Sequence, residues 1–174
     1  MTEHFERVTA ASDPAERLIA EARYRLAAGW LEEGDIVIDA ACGTGYGADL
    51  IGGGSRVSYV GVERDLSVIE VDADHRSFLA ADLEVWGGPA TDFDVAIVLE
   101  TLEHLADPTA LRDWTYRARR LVIVSVPLMP SVGGNPYHLH DYRPHDIYTL
   151  WKNMKPLAFY EHPPGTGIWV FGQW

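Results

Sequence analysis

Apolar residues recur along this chain with two different periods, and the two alternate. Leu18, Ala22, Leu26 and Trp30 return every four residues, which puts them on one stripe of a helix. Asp13 stands as its N-cap, Pro14 at its first position and Glu16 as a capping-box acid, and Gly34 marks its end. Five short runs are instead apolar throughout and rich in β-branched residues: Asp35 to Ala41, Val57 to Glu63, Phe78 to Leu83, Asp94 to Glu100 and Leu121 to Pro127. That is the pattern of parallel strands covered on both faces. Between the last two, Asp107-Pro108 caps a helix reaching Arg120, with Leu111, Trp114 and Ala118 facing inward. Another helix starts at Pro144, carrying Ile147, Leu150, Trp151 and Met154 at helical spacing. Two final strands, Leu157 to His162 and Ile168 to Trp174, flank a Pro-Pro-Gly-Thr-Gly turn and pair as a hairpin. The connections after Glu63 and Asp82 leave room for only a turn or two of helix. The order predicts an α/β, doubly wound sheet of seven strands, mostly parallel and closed by a C-terminal antiparallel β-hairpin.

Composition narrows the function classes. The 174 residues fit one packed domain, and 14 basic against 26 acidic residues leave a formal charge of −12. Phosphate neutralisation needs clustered Lys and Arg, so neither DNA nor RNA is expected as a partner. The lone Cys42 excludes an internal disulfide framework and a Cys-based zinc site. No apolar run reaches the roughly 20 residues of a membrane span. The N-terminus MTEHFERVTA is polar and lacks a signal-peptide pattern, so a cytoplasmic protein is expected. Oligomeric state is not legible.

The first strand runs into Asp39-Ala-Ala-Cys-Gly43-Thr-Gly45-Tyr-Gly47-Ala48. Glycines there permit a tight turn and close approach to a ligand at the following helix start. Taken alone, the loop is ambiguous, because Gly43, Gly45 and Ala48 also satisfy the G-x-G-x-x-A dinucleotide fingerprint with Glu63 as the ribose acid. The series of acids, Asp39 before the loop, Glu63 ending the second strand and Asp82 after the third, resembles the class I S-adenosylmethionine (SAM)-dependent methyltransferases. Their cofactor loop is DxxCGTGYG, and the resemblance runs from RYRLAAGWLEEGDIVIDAACGTGYGA through FDVAIVLETLEHLADP to the closing hairpin. It is nearest to glycan-associated and ubiquinone-pathway O-methyltransferases, which also end in a hairpin. The resemblance implies a Rossmann-like fold and a single domain over 1–174. Within it, 1–33 form an N-terminal helical segment, 34–127 the cofactor-binding core and 128–174 the substrate side. It implies that Ala41, Gly43, Gly45 and Gly47 pass near the methionine part of SAM, that Asp39 orients the loop, and that Glu63 with Arg64 serves the ribose. Asp82 and Leu83 would hold the adenine, Glu100 would line the cofactor pocket, and Tyr24 would reach the carboxylate end of SAM.

The fourth strand ends in Glu100-Thr-Leu-Glu103-His104, and Asn135-Pro-Tyr-His138-Leu-His140 follows downstream. One reading makes His104, His138 or His140 a general base for the acceptor. A second makes Glu100, Glu103, His104 and His138 (or His140) a Mg²⁺ or Mn²⁺ site, the E-x-x-E-H pattern with a later His resembling that of the metal-using small-RNA 2′-O-methyltransferases and ubiquinone-pathway enzymes. A third reads them as structural. The resemblance favours O-methyl transfer to a small-molecule or carbohydrate hydroxyl. A SAM-binding regulatory or partner protein without transferase activity, and an NAD(P)-dependent dehydrogenase, are the other classes left open.

Overall fold

A computed structural model describes residues 7–52, 57–72, 76–163 and 165–174. Helix α1 (Pro14–Ala28) precedes β1 (Ile36–Ala40), α2 (Gly47–Gly52), β2 (Ser58–Glu63), β3 (Arg76–Ala80) and β4 (Val95–Leu99). Then come α3 (Thr109–Thr115), β5 (Leu121–Pro127), α4 (Pro144–Leu150), β6 (Lys155–His162) and β7 (Thr166–Gly172). The strands form a single sheet in the order β3-β2-β1-β4-β5-β7-β6. The first five are mutually parallel, while β7 runs antiparallel between β5 and β6. The expected doubly wound sheet and terminal hairpin are thus both present.

Period-two alternation divides the buried residues between two faces. Val95 and Ile97 of β4 join Val37, Tyr59, Ile123 and Val170 against the Tyr24–Ala27 side of α1. Ala96 and Val98 join Val124, Phe171 and the side chains of α3 and α4 on the other face. There the Trp151 indole N–H donates to Thr115 Oγ1 at 3.0 Å and its ring stacks on Phe171, tying α4 to α3 and to β7.

Several boundaries differ from expectation, each for a local reason. The buried stripe of α1 is Ala20, Tyr24 and Ala27, whereas Leu18 is exposed, because small Ala residues let the helix approach the sheet closely. The helix stops at Ala28, well before Gly34. Helix α3 ends at Thr115 instead of Arg120, since the amides of Arg119 and Arg120 donate to the carbonyls of Phe93 and Asp94 at the entry to β4. Strand β3 starts at Arg76 and ends at Ala80, so Asp82 and Leu83 lie beyond it. No helix forms between β3 and β4 among the described residues; Trp86 covers that stretch by packing edge-on against Trp114, ring centroids 5.3 Å apart. A Cβ on Gly88 would come within 2.4 Å of the Trp114 Cβ, which accounts for glycine at that turn.

Candidate active site

The order of strands reverses between β1 and β4, and ligands in such sheets bind at the carboxyl ends of the strands beside that point. Both strands end there on a non-glycine residue in the left-handed region, Ala41 (φ 56°) after β1 and Glu100 (φ 47°) after β4. Such backbone strain persists only where surrounding contacts enforce it, and it concentrates at functional sites. A cavity of about 660 Å³ opens at this point, within the range of small-molecule sites.

The glycine loop forms the floor. Cys42 is buried, its amide donates to the Val62 carbonyl at 3.0 Å, and burial pushes its thiol pKa far up, so it is a packing residue. The glycines have separate reasons. Gly43 (φ 59°) lines the cavity, and a Cβ added there would meet nothing among the described residues within 4 Å. Gly45 and Gly47 do not line it. A Cβ on Gly45 would strike Val71 and Phe78, and one on Gly47 would come within 2.3 Å of the Tyr24 ring. Of the three glycines expected near the cofactor, Gly43 borders the cavity, while Gly45 and Gly47 are set by packing against Val71, Phe78 and Tyr24.

Asp39 also lies outside the cavity lining. It is fully buried and accepts from Tyr24 Oη at 3.0 Å and Tyr59 Oη at 2.5 Å, while its Oδ1 takes no hydrogen bond from the described residues. Burial raises its pKa to about 7 despite the two tyrosine hydroxyls, which pull the other way. Tyr24 accordingly has its hydroxyl committed to Asp39, although its ring borders the cavity. Glu63 is buried at the mouth. Its carboxylate accepts from the amides of Gly43 (3.2 Å), Arg64 (2.9 Å) and Asp65 (3.3 Å), and pairs with Arg7 at 2.9 Å. Arg7 and Val8 lie over the loop, where Thr44 Oγ1 donates to the Val8 carbonyl at 2.9 Å. Ala41, Arg64, Asp82 and Leu83 line the same space, Asp82 exposed and Leu83 buried.

Further residues of the cavity wall come from the turn Leu102–His104, which follows β4 immediately. Glu103 is buried, and its carbonyl accepts from the amides of Leu139 (2.7 Å) and His140 (3.3 Å), clamping the downstream segment over the strand ends. This brings the His104 and His138 rings edge-to-face at 4.8 Å. Glu103, His104 and His138 offer ligand atoms within 4.8 Å of one another. Glu100 is not in that group: it accepts from Ser125 Oγ at 2.7 Å and Thr166 Oγ1 at 3.5 Å and lies 3.9 Å from Arg23. The expected fourth metal ligand is thus held toward β5 and β7 by its own hydrogen bonds. His140 also departs from expectation, since its Nε2 meets the Ala106 carbonyl at 3.3 Å and the residue does not line the cavity.

Apart from Tyr24, sequence reasoning missed the α1 contribution. Glu16, Ile19, Ala20 and Arg23 all border the cavity. The signal was available as a second helical face at positions 16, 19, 20 and 23, outcompeted by the more apolar stripe through Leu18.

A sheet with reversed order, a glycine loop after β1, an acid ending β2 and a terminal hairpin define a class I SAM-dependent methyltransferase fold. The sequence matches the profile of the methyltransferase domain family (Methyltransf_23) over residues 12–172, and the chain belongs to that family. Among solved structures it is similar to magnesium protoporphyrin IX methyltransferase from Synechocystis PCC 6803 with bound S-adenosylhomocysteine, at 18% identity and TM-score 0.75, covering 96% of this chain and 90% of that one. A putative methyltransferase of Haloferax volcanii, solved in complex with the Trm112 methyltransferase activator, is similar at 15% identity and TM-score 0.75, with 90% of each chain covered. The N-methyltransferase NodS from Bradyrhizobium japonicum WM9 is similar at 14% identity and TM-score 0.67, over 91% and 95% of the two chains. No curated protein matches the sequence. No helix of the described residues is long and apolar enough to cross a membrane.

Proposed function

We propose that this chain transfers a methyl group from SAM to a hydroxyl of a small molecule or carbohydrate, with residues 128–174 forming the acceptor side. The observation that carries the reading is one cavity lined both by Gly43, Glu63 and Asp82 and by the facing imidazoles of His104 and His138. The residues present fit SAM: open space above left-handed Gly43, a buried carboxylate at Glu63 for ribose hydroxyls, and acidic Asp82 beside apolar Leu83 for adenine.

Bound SAM supplies an electrophilic methyl group on a sulfonium. The chain's own part is alignment and proton removal. Glu63, fixed by the amides of Gly43, Arg64 and Asp65, presents a rigid acceptor. Its pairing with Arg7 must yield or rearrange as ribose hydroxyls arrive. His138 or His104 takes the proton of the acceptor hydroxyl, and Leu83, Leu99 and Leu105 keep the lining partly apolar. Holding the acceptor in line is worth about 7–11 kcal/mol of barrier in well-oriented systems. The acidic surface favours neutral or cationic acceptors over polyanions. Incubating the protein with methyl-labelled SAM and panels of sugars, phenols and amines tests this. Label on hydroxylated small molecules is the expected result, and label found only on amines or nucleic acid sinks the proposal.

A second reading has its own observation, the clustering of Glu103, His104 and His138 within 4.8 Å. One carboxylate and two imidazoles suit a first-row transition ion such as Mn²⁺ better than oxygen-seeking Mg²⁺, and such an ion would lower the pKa of an acceptor hydroxyl. Mn²⁺ titration followed by electron paramagnetic resonance, with His138→Gln as control, separates the two. Tight binding lost in the variant, with turnover abolished by EDTA, supports the ion; turnover that survives exhaustive EDTA leaves the imidazole as base.

A further inference from the structure

Next to the imidazole pair lies a short polar chain that the glycine loop and acids do not involve. Asp141 Oδ1 accepts from the Ser131 amide at 2.7 Å and the Val132 amide at 3.1 Å, and lies 3.1 Å from Ser131 Oγ. Ser131 Oγ in turn sits 2.6 Å from His138 Nδ1. The two amides hold the Asp141 carboxyl below the usual carboxylate range, so at neutral pH it only accepts. A serine hydroxyl has one proton. Directed to the carboxylate, it makes a charge-assisted hydrogen bond and leaves the Oγ lone pairs for His138. Directed to His138, it leaves two oxygens facing each other at 3.1 Å with nothing between them. The first arrangement wins, and Nδ1 of His138 must then carry the hydrogen.

The geometry points to Ser131 and Asp141 as positioning residues: they hold neutral His138 as the Nδ1–H tautomer, with Nε2 as its basic nitrogen. His104 obeys the same logic, because its Nδ1 meets the Tyr137 carbonyl at 3.1 Å and a carbonyl can only accept. One segment, 131–141, thus fixes both rings with the same nitrogen basic. The histidine side chain in water prefers the opposite tautomer, protonated on Nε2, so the segment works against an intrinsic preference. This assignment deepens the proposed methyl transfer and rests on that reading for its purpose, since an Nε2 lone pair is what either a general base or a metal ligand requires.

The test is long-range proton–nitrogen correlation of ¹⁵N-histidine-labelled protein about two pH units above the ordinary imidazole pKa. His138→Gln and His104→Gln assign the signals. In the unaltered protein, His138 is expected to show a pyrrole-type Nδ1 and a pyridine-type Nε2. Ser131→Ala and Asp141→Ala, each of which removes the acceptor chain, are expected to move it toward the Nε2–H form, and Ser131→Thr to restore it. An Nε2–H tautomer in the unaltered protein overturns the assignment. So does a tautomer unmoved in both variants while their other histidine signals stay native. These outcomes are independent of turnover: a protein that shows the Nδ1–H tautomer but binds no SAM refutes the methyl-transfer reading and leaves the relay standing.

Discussion

Two buried carboxylates a strand apart behave differently because their surroundings differ. Glu63 is met by amides and by Arg7, which stabilise its charge, whereas Asp39 has two phenols and no cation beside it among the described residues. On the proposed function, replacing Glu63 by alanine would remove charge-assisted hydrogen bonds to the ribose. Calorimetry is expected to show SAM affinity reduced by about 1–3 kcal/mol, and an unchanged affinity would remove Glu63 from the site. For Asp39, the folded pKa of about 7 stands above the unfolded 3.8. Between those values the unfolded chain releases a proton that the folded chain keeps, so this group's contribution to stability falls as pH rises and levels off above about 7. Asp39→Asn retains an acceptor for the two tyrosines but cannot titrate. Denaturant unfolding of both proteins across that window is expected to show the variant gaining relative to the parent as pH rises; a flat difference contradicts the raised pKa.

At the scale of elements, the loop between β1 and α2 shows how one motif serves two purposes. Gly47→Ala drives a methyl group into the Tyr24 ring, an overpacking expected to destabilise folding by about 1–3 kcal/mol. Gly43→Ala meets open space, so its folding penalty is limited to the roughly 1–2 kcal/mol of a left-handed residue, while its methyl group would intrude on a cofactor bound as proposed. SAM affinity and unfolding free energy, measured on both variants, should therefore separate; a shared profile would mean the glycines act alike. This division was not legible in the sequence, where Gly43, Gly45 and Gly47 look equivalent. The strands were legible, because burial on both faces of a sheet leaves an unbroken apolar, β-branched run, as in Leu121 to Pro127 of β5. Helix α1 was legible in existence but not in orientation, since the closeness of a helix to its sheet is set by Ala20 and Ala27, which hydropathy undervalues against Leu18. Among the histidines, an extended segment would put His138 and His140 on one side, yet the amides of Leu139 and His140 dock on the Glu103 carbonyl and the His140 ring turns to Ala106. Such docking depends on contacts distant in sequence.

For the whole molecule, the cavity is assembled from nearly every part of the chain, from Arg7 to Thr166. A ligand that binds only this assembled form must stabilise all of it. SAM at about one hundred times its Kd is expected to add about 2.7 kcal/mol to global unfolding free energy, measured by denaturant titration. No added stability under those conditions would mean that SAM does not select the folded state.

The placement of β7 also governs how the fold can be reached. It is the last strand along the sequence, yet it sits inside the sheet between β5 and β6. During synthesis, β5 therefore waits with an unpaired edge until Thr166–Gly172 emerges, and β6 has no partner strand until the same moment. The β6 residues Leu157, Phe159 and Tyr160 remain partly exposed even afterwards. Assembly thus depends on contacts formed late and across long separations, a slow and aggregation-exposed route. A nascent chain stalled before Thr166 should be a client for chaperones that bind unpaired strands, and release of seven more residues should end that dependence.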